Sequence, residues 1–352
     1  MRRRAALSGA ALLGSLALFW PGYVMYDSVA QYGQLLSGEY LDWHPPAMAR
    51  LWSVFGAHGA APMLALQLGL YWLGLGLIAA ASARRVGLAV LMIGAWPVFL
   101  GWQGVVLKDG QMIGALLAVA GLIGWWRLRG RPVPWPAVAG VAVLIAYAVL
   151  VRSNAVFAAV PLAVLLTPAI RGGVARTAAI GLGVVVVLAL LSPINHRLFA
   201  ARPSGVERTQ AIYDLAGIAV RLPPDAAHTG MLPNEAAELA ARHCVRPFFW
   251  DPLGEPDRCD DTVDRLRHVP AGALYATLAD AILHHPIAYV GHRLAHLNST
   301  ERWLVPWRWP SAAPPLASEP NDEGLGSPAR VAGWWQRLAG WLIETPLGWP
   351  LL

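Results

Sequence analysis

Apolar runs close to the length of a bilayer crossing alternate with short polar connections over the first half of the chain. Seven such stretches stand out, at 5–24, 61–83, 86–102, 110–126, 133–151, 155–170 and 177–194. A hydrocarbon core of ~30 Å takes about 20 apolar residues as a helix. The first, second, fifth and seventh stretches have that length, and the other three are shorter. After residue 195 the pattern changes. Residues 196–330 are richer in charge and proline, with helical periodicity at 208–221, 234–243, 261–268, 271–284 and 286–300, separated by Gly and Pro clusters. No strand pattern and no internal repeat emerges. Residues 311–329 read as a loop or linker. The tail, 331–352, holds Trp334, Trp335, Trp341 and Trp349 with Arg337 and Glu344, and is broken by Pro346 and Pro350. It reads as an interfacial amphipathic or partial membrane helix. The chain ends among apolar residues, which leaves open whether further spans follow. The pattern predicts an all-α membrane protein: a polytopic helical bundle of about seven transmembrane helices with a mainly helical outer-face domain.

Composition agrees with this. The chain is 56% hydrophobic and 14% charged, against ~25% charged residues in soluble domains. The basic excess does not point to nucleic acid, because the cations sit in short loops rather than on one soluble face. Arg2, Arg3 and Arg4, then Arg84 and Arg85, then Arg127, Arg129 and Arg131, then Arg171 and Arg176 fall in alternate, acid-free connections. By the positive-inside rule these face the cytoplasm. Asp27, Glu39, Asp42, Asp109 and the acids beyond residue 206 then face outward. The N-terminal stretch is long and lacks an Ala-x-Ala site, so it reads as a retained anchor rather than a cleaved signal. The expected organisation is a membrane module over 1–195 with a first outer loop at 25–60, an extracytoplasmic helical domain over 196–330, and the tail. The setting is a bacterial-type inner membrane with a cytoplasmic N-terminus. Cys244 and Cys259 are the only cysteines. Both fall in the outer domain, which suits a disulfide in an oxidising compartment, with free thiols as the alternative.

Candidate chemistry gathers in three outer connections. The first carries Asp27, Ser28, Gln31, Asp42 and Trp43-His44-Pro45-Pro46, the second Lys108-Asp109, the third Arg152-Ser153-Asn154. Asp27 fits a general base whose pKa is raised by desolvation, or else a helix N-cap. His44 precedes a proline, which holds it extended at the start of a helix. There it can contact substrate, phosphate or metal, or simply bond a carbonyl. Lys108 is the only Lys among 27 basic residues, which points to a compact charge for a phosphate oxygen, or to a pair with its neighbour Asp109. Arg152 suits a phosphate clamp or a snorkelling contact with headgroups. Asn154 suits a sugar hydroxyl or a cap. His285, His292 and His296 have a spacing that permits metal, but Arg293 among them favours an amphipathic helix turned to water or headgroups. Asp214 reads as a solvated helical acid.

The first span, the outer loop with Asp27 near the span end and the Trp43-His44-Pro45-Pro46 lead-in to a helix resemble the GT-C superfamily of membrane glycosyltransferases. Protein O-mannosyltransferases and lipid A aminoarabinose transferases are members. The resemblance covers roughly 1–200. It implies a seven-span module, a polyprenyl-phosphate-linked sugar donor, and a catalytic acid at Asp27. Asp109 with Lys108 matches the second-loop site, and Arg152 a phosphate contact. Members often carry Asp-Glu at the first acid, where this chain has Asp27-Ser28. No cofactor is required by this reading. A divalent cation, Mg or Mn, at Asp27 and Asp109 is an alternative the two acids leave open. The expected partners are the donor, membrane lipids and an acceptor not specified by sequence. Rival readings are a transporter or lipid flippase, a non-catalytic assembly protein, and an acyl- or phosphotransferase. Coupled transport is disfavoured because no acid lies between 110 and 206.

Overall fold

The computed structural model describes residues 2–167, 170–247, 251–255, 258–302 and 312–348. Among them are seventeen α-helices and two strands of two residues each. The chain divides into two compact units, one formed by 1–203 with 310–345 and the other mainly by 204–309.

In the first unit each predicted apolar stretch holds a helix, with 168 and 169 of the stretch 155–170 outside the described residues: α1 (Arg2–Phe19), then, after α2 (Tyr26–Ser37) and α3 (Ala47–Phe55), α4 (Ala61–Ala81), α5 (Arg84–Gly94), α6 (Pro97–Gln103), α7 (Lys108–Arg127), α8 (Trp135–Val151), α9 (Val156–Leu166) and α10 (Gly173–Pro193). Fewer than seven are crossings by length and apolarity. Ala61–Ala81 and Gly173–Leu198 qualify alone, and α5 with α6 qualifies as a pair bent by 57°. The apolar helices Trp135–Val151 and Ser153–Leu166 are shorter.

Helix α4 is the hub, packed against α1, α5 and α7. Its crossing with α7 is close because two glycines meet there. A Cβ at Gly74 would lie 2.3 Å from the Leu117 carbonyl, and one at Gly121 would lie 2.7 Å from the Gly74 Cα. Small residues let helix backbones approach in this way. Polar groups inside the bundle are bonded to main chain: Ser8 Oγ donates to Trp72 O at 2.7 Å, and Gln67 Nε2 donates to Val105 O at 2.8 Å and Gln103 O at 3.0 Å. Trp52, Trp72, Tyr23, Met63 and Leu64 fill the core.

The segment expected as a linker is packed. The Val24 N–H donates to Ser318 Oγ at 3.2 Å, the Glu319 N–H donates to Val24 O at 2.9 Å, and Leu325 is buried in the main core. It leads into α17 (Arg330–Ile343), which lies on α6. Ala332, Gln336 and Ala339 are buried, and Gln336 Nε2 donates to Gly101 O at 3.0 Å. Val331, Trp334, Leu338 and Trp341 form an exposed apolar stripe on the same helix. The tail is thus amphipathic, with its second face committed to the protein. Residues 349–352 of the expected tail lie outside the described residues.

The second unit wraps α11 (Thr209–Ala219) with α12 (Pro233–Ala241), α13 (Asp251–Gly254), α14 (Asp260–Arg267), α15 (Ala271–His284) and α16 (Pro286–Glu301). Residues 211–219 of α11 are all buried. Cys244 and Cys259 form a disulfide, with S–S at 2.06 Å. Two expectations are corrected here. Asp214 is not solvated: its carboxylate is buried, 3.3 Å from His292 Nε2 and 3.2 Å from Arg293. His292 is buried with it rather than turned to water, because α16 packs this face onto α11. His285 and His296 point elsewhere, to the carbonyls of Ala227 and Pro247, so the three histidines form no common site.

Candidate functional site

The site grows from a short parallel pairing that periodicity could not reveal. Strand β1 (Tyr23–Val24) pairs with β2 (Val105–Val106), with Val24 opposite Val106. Gly22, at φ +108°, turns the chain into β1, where a Cβ would lie 2.8 Å from a Val106 methyl carbon. Each strand is followed by one extended residue, Met25 or Leu107, and then by a helix N-terminus. Asp27 and Asp109 therefore occupy equivalent places, both in the first turns of adjacent helices, where the macrodipole favours a carboxylate. Ser28 is buried, and its Oγ bonds the Val106 carbonyl, locking α2 to β2. The N-cap of α2 is Met25, so Asp27 is not the capping residue.

Three predicted residues meet directly. Lys108 Nζ lies 2.8 Å from Asp27 Oδ2 and 2.9 Å from His44 Nδ1, and His44 Nε2 lies 3.7 Å from Asp27 Oδ1. Lys108 and His44 are buried, while Asp27 remains one-third exposed. Lys108 thus pairs across the fold with Asp27, not with its neighbour Asp109. Asp109 is taken by Arg152, whose Nε is 3.0 Å from Oδ1. Arg152 sits in extended backbone after α8, at the head of the 3-10 turn Ser153–Ala155. Asn154 is exposed on that turn and joins none of these pairs.

Electrostatics reverse the expectation for Asp27. Burial by itself raises its pKa, but the Lys108 ammonium, through charge and hydrogen bond, together with His44 and Arg152, outweighs burial and holds the carboxyl below its ordinary value. His44 is pushed down to about 4, first by burial and then by Lys108 and Arg152, with Asp27 pulling the other way. At neutral pH His44 is therefore uncharged, and its contact with Asp27 is not an ion pair. An ammonium only donates, so His44 Nδ1 accepts from Lys108 and Nε2 carries the proton. That Nε2 is buried without a hydrogen-bond partner among the described residues. It aims at Asp27 from beyond hydrogen-bond reach.

The loop that carries His44 is pinned from behind. Asp42 Oδ2 lies 3.4 Å from His196 Nε2, Arg202 Nη1 lies 2.7 Å from Glu39, and the Arg50 guanidinium stacks 3.6 Å from the Tyr40 ring centre. Sequence reading missed His196. Its signal was a polar Asn195-His196-Arg197 run at the end of the seventh apolar stretch. The two acids considered for a cation, Asp27 and Asp109, are each engaged by a different basic side chain.

The arrangement offers an ionised, part-exposed carboxylate whose direction is fixed by a buried cation, beside a second acid–guanidinium pair. It suits accepting a proton from a hydroxyl while an anionic group is held nearby. No family model, curated protein or solved structure matches this chain.

Proposed function

We propose that this chain is a GT-C-type membrane glycosyltransferase of a bacterial-type inner membrane. It moves a sugar from a polyprenyl-phosphate donor to a periplasmic or lipid-linked acceptor. The observation that carries the proposal is the Asp27–Lys108–His44 group, with Lys108 Nζ 2.8 Å from the carboxylate. In this reading α1, α4, the bent α5–α6 pair, α7, α8, α9 and α10 are the seven membrane elements, α1 starts in the cytoplasm, and 204–309 is extracytoplasmic.

Asp27 is the base. An ionised carboxylate accepts the acceptor's hydroxyl proton as the oxygen attacks the anomeric carbon, and the carbon–phosphate oxygen bond breaks with the electron pair leaving on phosphate. One displacement inverts the anomeric centre. A lowered pKa makes Asp27 a weak base, so it acts on a proton already loosened in the transition state. Arg152 supplies a guanidinium edge for the leaving phosphate. Lys108, expected as a phosphate contact, serves first to hold Asp27 charged and aimed. His44 positions Lys108. No metal is needed for this charge balance.

The test is transfer from a panel of polyprenyl-phosphate sugars by detergent-purified protein. Asp27→Asn, which keeps shape and removes the base, is expected to lower the transfer rate by about 10²- to 10⁴-fold with folding intact. Undiminished transfer by that variant, or no transfer from any donor, defeats the proposal.

A further inference from the structure

The 204–309 unit brings together three side chains that share no sequence motif. His228, Asp280 and His284 each place one ligand atom within 4.8 Å of the others. We propose that this trio binds a divalent transition-metal ion of the zinc, cobalt and nickel group.

Placement comes from two elements. Asp280 and His284 are one turn apart on α15 and so share a face. His228 comes from the loop between α11 and α12. That loop is held on both sides of the histidine: His285 Nε2 bonds Ala227 O at 2.7 Å, and Arg265 Nη2 donates to Gly230 O at 3.0 Å. His228 itself adopts φ +59°, a left-handed conformation that non-glycine residues seldom take, so the surrounding bonds keep it there.

The donor geometry is near that of a bound ion. His228 Nδ1 is 2.9 Å from Asp280 Oδ2, and His284 Nδ1 is 3.3 Å from Oδ1. The two imidazoles stack with planes 8° apart and centres 3.8 Å apart. A tetrahedral ion about 2.0–2.2 Å from each ligand sets ligand atoms roughly 3.3 Å apart. The two nitrogen–carboxylate spacings are within a few tenths of an ångström of that value, and the ligand atoms all lie within 4.8 Å of one another. His228 turns Nδ1 to the carboxylate, whereas His284 Nδ1 also bonds the Asp280 main-chain carbonyl at 2.9 Å, so binding takes the Nε2–H tautomers and gives up that carbonyl bond.

Ligand type selects the metal. Two imidazoles with one carboxylate suit zinc, cobalt or nickel, whereas magnesium and calcium prefer all-oxygen shells. The side chains are 49%, 48% and 47% exposed. Three ligands at such exposure leave a coordination position for water or an external ligand, as catalytic zinc sites do. His285 is a supporting residue, because its bond to Ala227 O sets the loop that presents His228.

The test uses the purified full chain, carried on a histidine-free affinity tag and stripped with chelator. Cobalt and zinc chlorides are titrated by calorimetry, and cobalt also by visible absorption. One equivalent is expected to bind and to raise the melting temperature, and magnesium chloride is expected to do neither. His228→Ala and His284→Ala should weaken binding by more than the roughly 10- to 100-fold loss that removal of a supporting partner causes, and His285→Ala should fall within that range. His268→Ala, which alters another exposed histidine–aspartate pair on α14, should bind as wild type does. Stoichiometric binding that survives in both ligand variants, or no binding at all, overturns the proposal. The ligands are half-exposed, so each variant is expected to fold, and circular dichroism checks it.

Discussion

At the scale of single residues, the Asp27 group shows how neighbouring charges can reverse a carboxylate's behaviour. Desolvation made Asp27 look like a base of raised pKa, but Lys108, brought in by a different helix, outweighs it together with His44 and Arg152. His44 carries the pH consequence. Its folded pKa is about 4 against 6.5 when solvated, so between those values the unfolded chain binds the extra proton. Stability is therefore full above about pH 6.5 and falls as pH drops toward 4, by on the order of 3 kcal/mol at most. Asp27 adds a loss in the same direction at lower pH, as its depressed folded pKa is crossed. His44→Asn keeps an acceptor for Lys108 and cannot titrate. Melting temperatures recorded from pH 7 to 4 should fall less steeply in that variant than in wild type, and identical slopes would remove His44 as the source. The sequence made these residues visible as unusual polar groups, with Lys108 prominent as the only lysine. It could not state the pairing, since a bond spanning positions 27 and 108 depends on where β1 and β2 meet.

At the scale of elements, the α4–α7 crossing is the sharpest dependence. The Gly74 Cα faces α7 main chain, and that backbone cannot rotate away as a side chain can. Gly74→Val should cost at least about 1–3 kcal/mol, the ordinary penalty of overpacking, because the helices must separate. Gly69→Val, where nothing lies within 4 Å of the added Cβ, is the matched control. Equal melting temperatures for the two variants would contradict the close approach. Since α7 begins at Lys108, separation should also impair the site at its N-terminus. Element positions were largely legible beforehand. The apolar stretches became helices, and the periodicity at 208–221, 234–243, 261–268, 271–284 and 286–300 appears as α11, α12, α14, α15 and α16, with ends moved by a residue or two. The short strands were not legible, because two residues carry no period. The bend between α5 and α6 turns one predicted stretch into two helices, with Trp96-Pro97 at the break, where proline restricts the residue before it.

At the scale of the whole molecule, the question is which side of a membrane each part faces. Arginine-rich, acid-free connections alternate with acidic ones, so 127–131 should be cytoplasmic and 204–309 external. Arg131→Cys and Asp264→Cys test this, since the native cysteines are joined in a disulfide. In intact cells a membrane-impermeant maleimide should label the cysteine at 264 but reach the one at 131 only after lysis. The opposite pattern would refute the orientation, and labelling of both in intact cells would refute the spans between them.

The sequence by itself determined helicity and the apolar stretches, because these follow from local period and composition, and it offered the disulfide with free thiols as the alternative, which the structure decided. It also marked Asp27, His44, Lys108, Asp109 and Arg152 as chemistry in search of a common place. Only the tertiary structure decided that Lys108 serves Asp27 while Arg152 serves Asp109, that Asp214 and His292 are buried together, and that the 312–329 segment packs on β1. It also decided that His228 meets Asp280 and His284. These depend on contacts between residues distant in sequence, and the energies that fix them arise from burial and charge at short range, which no local pattern records.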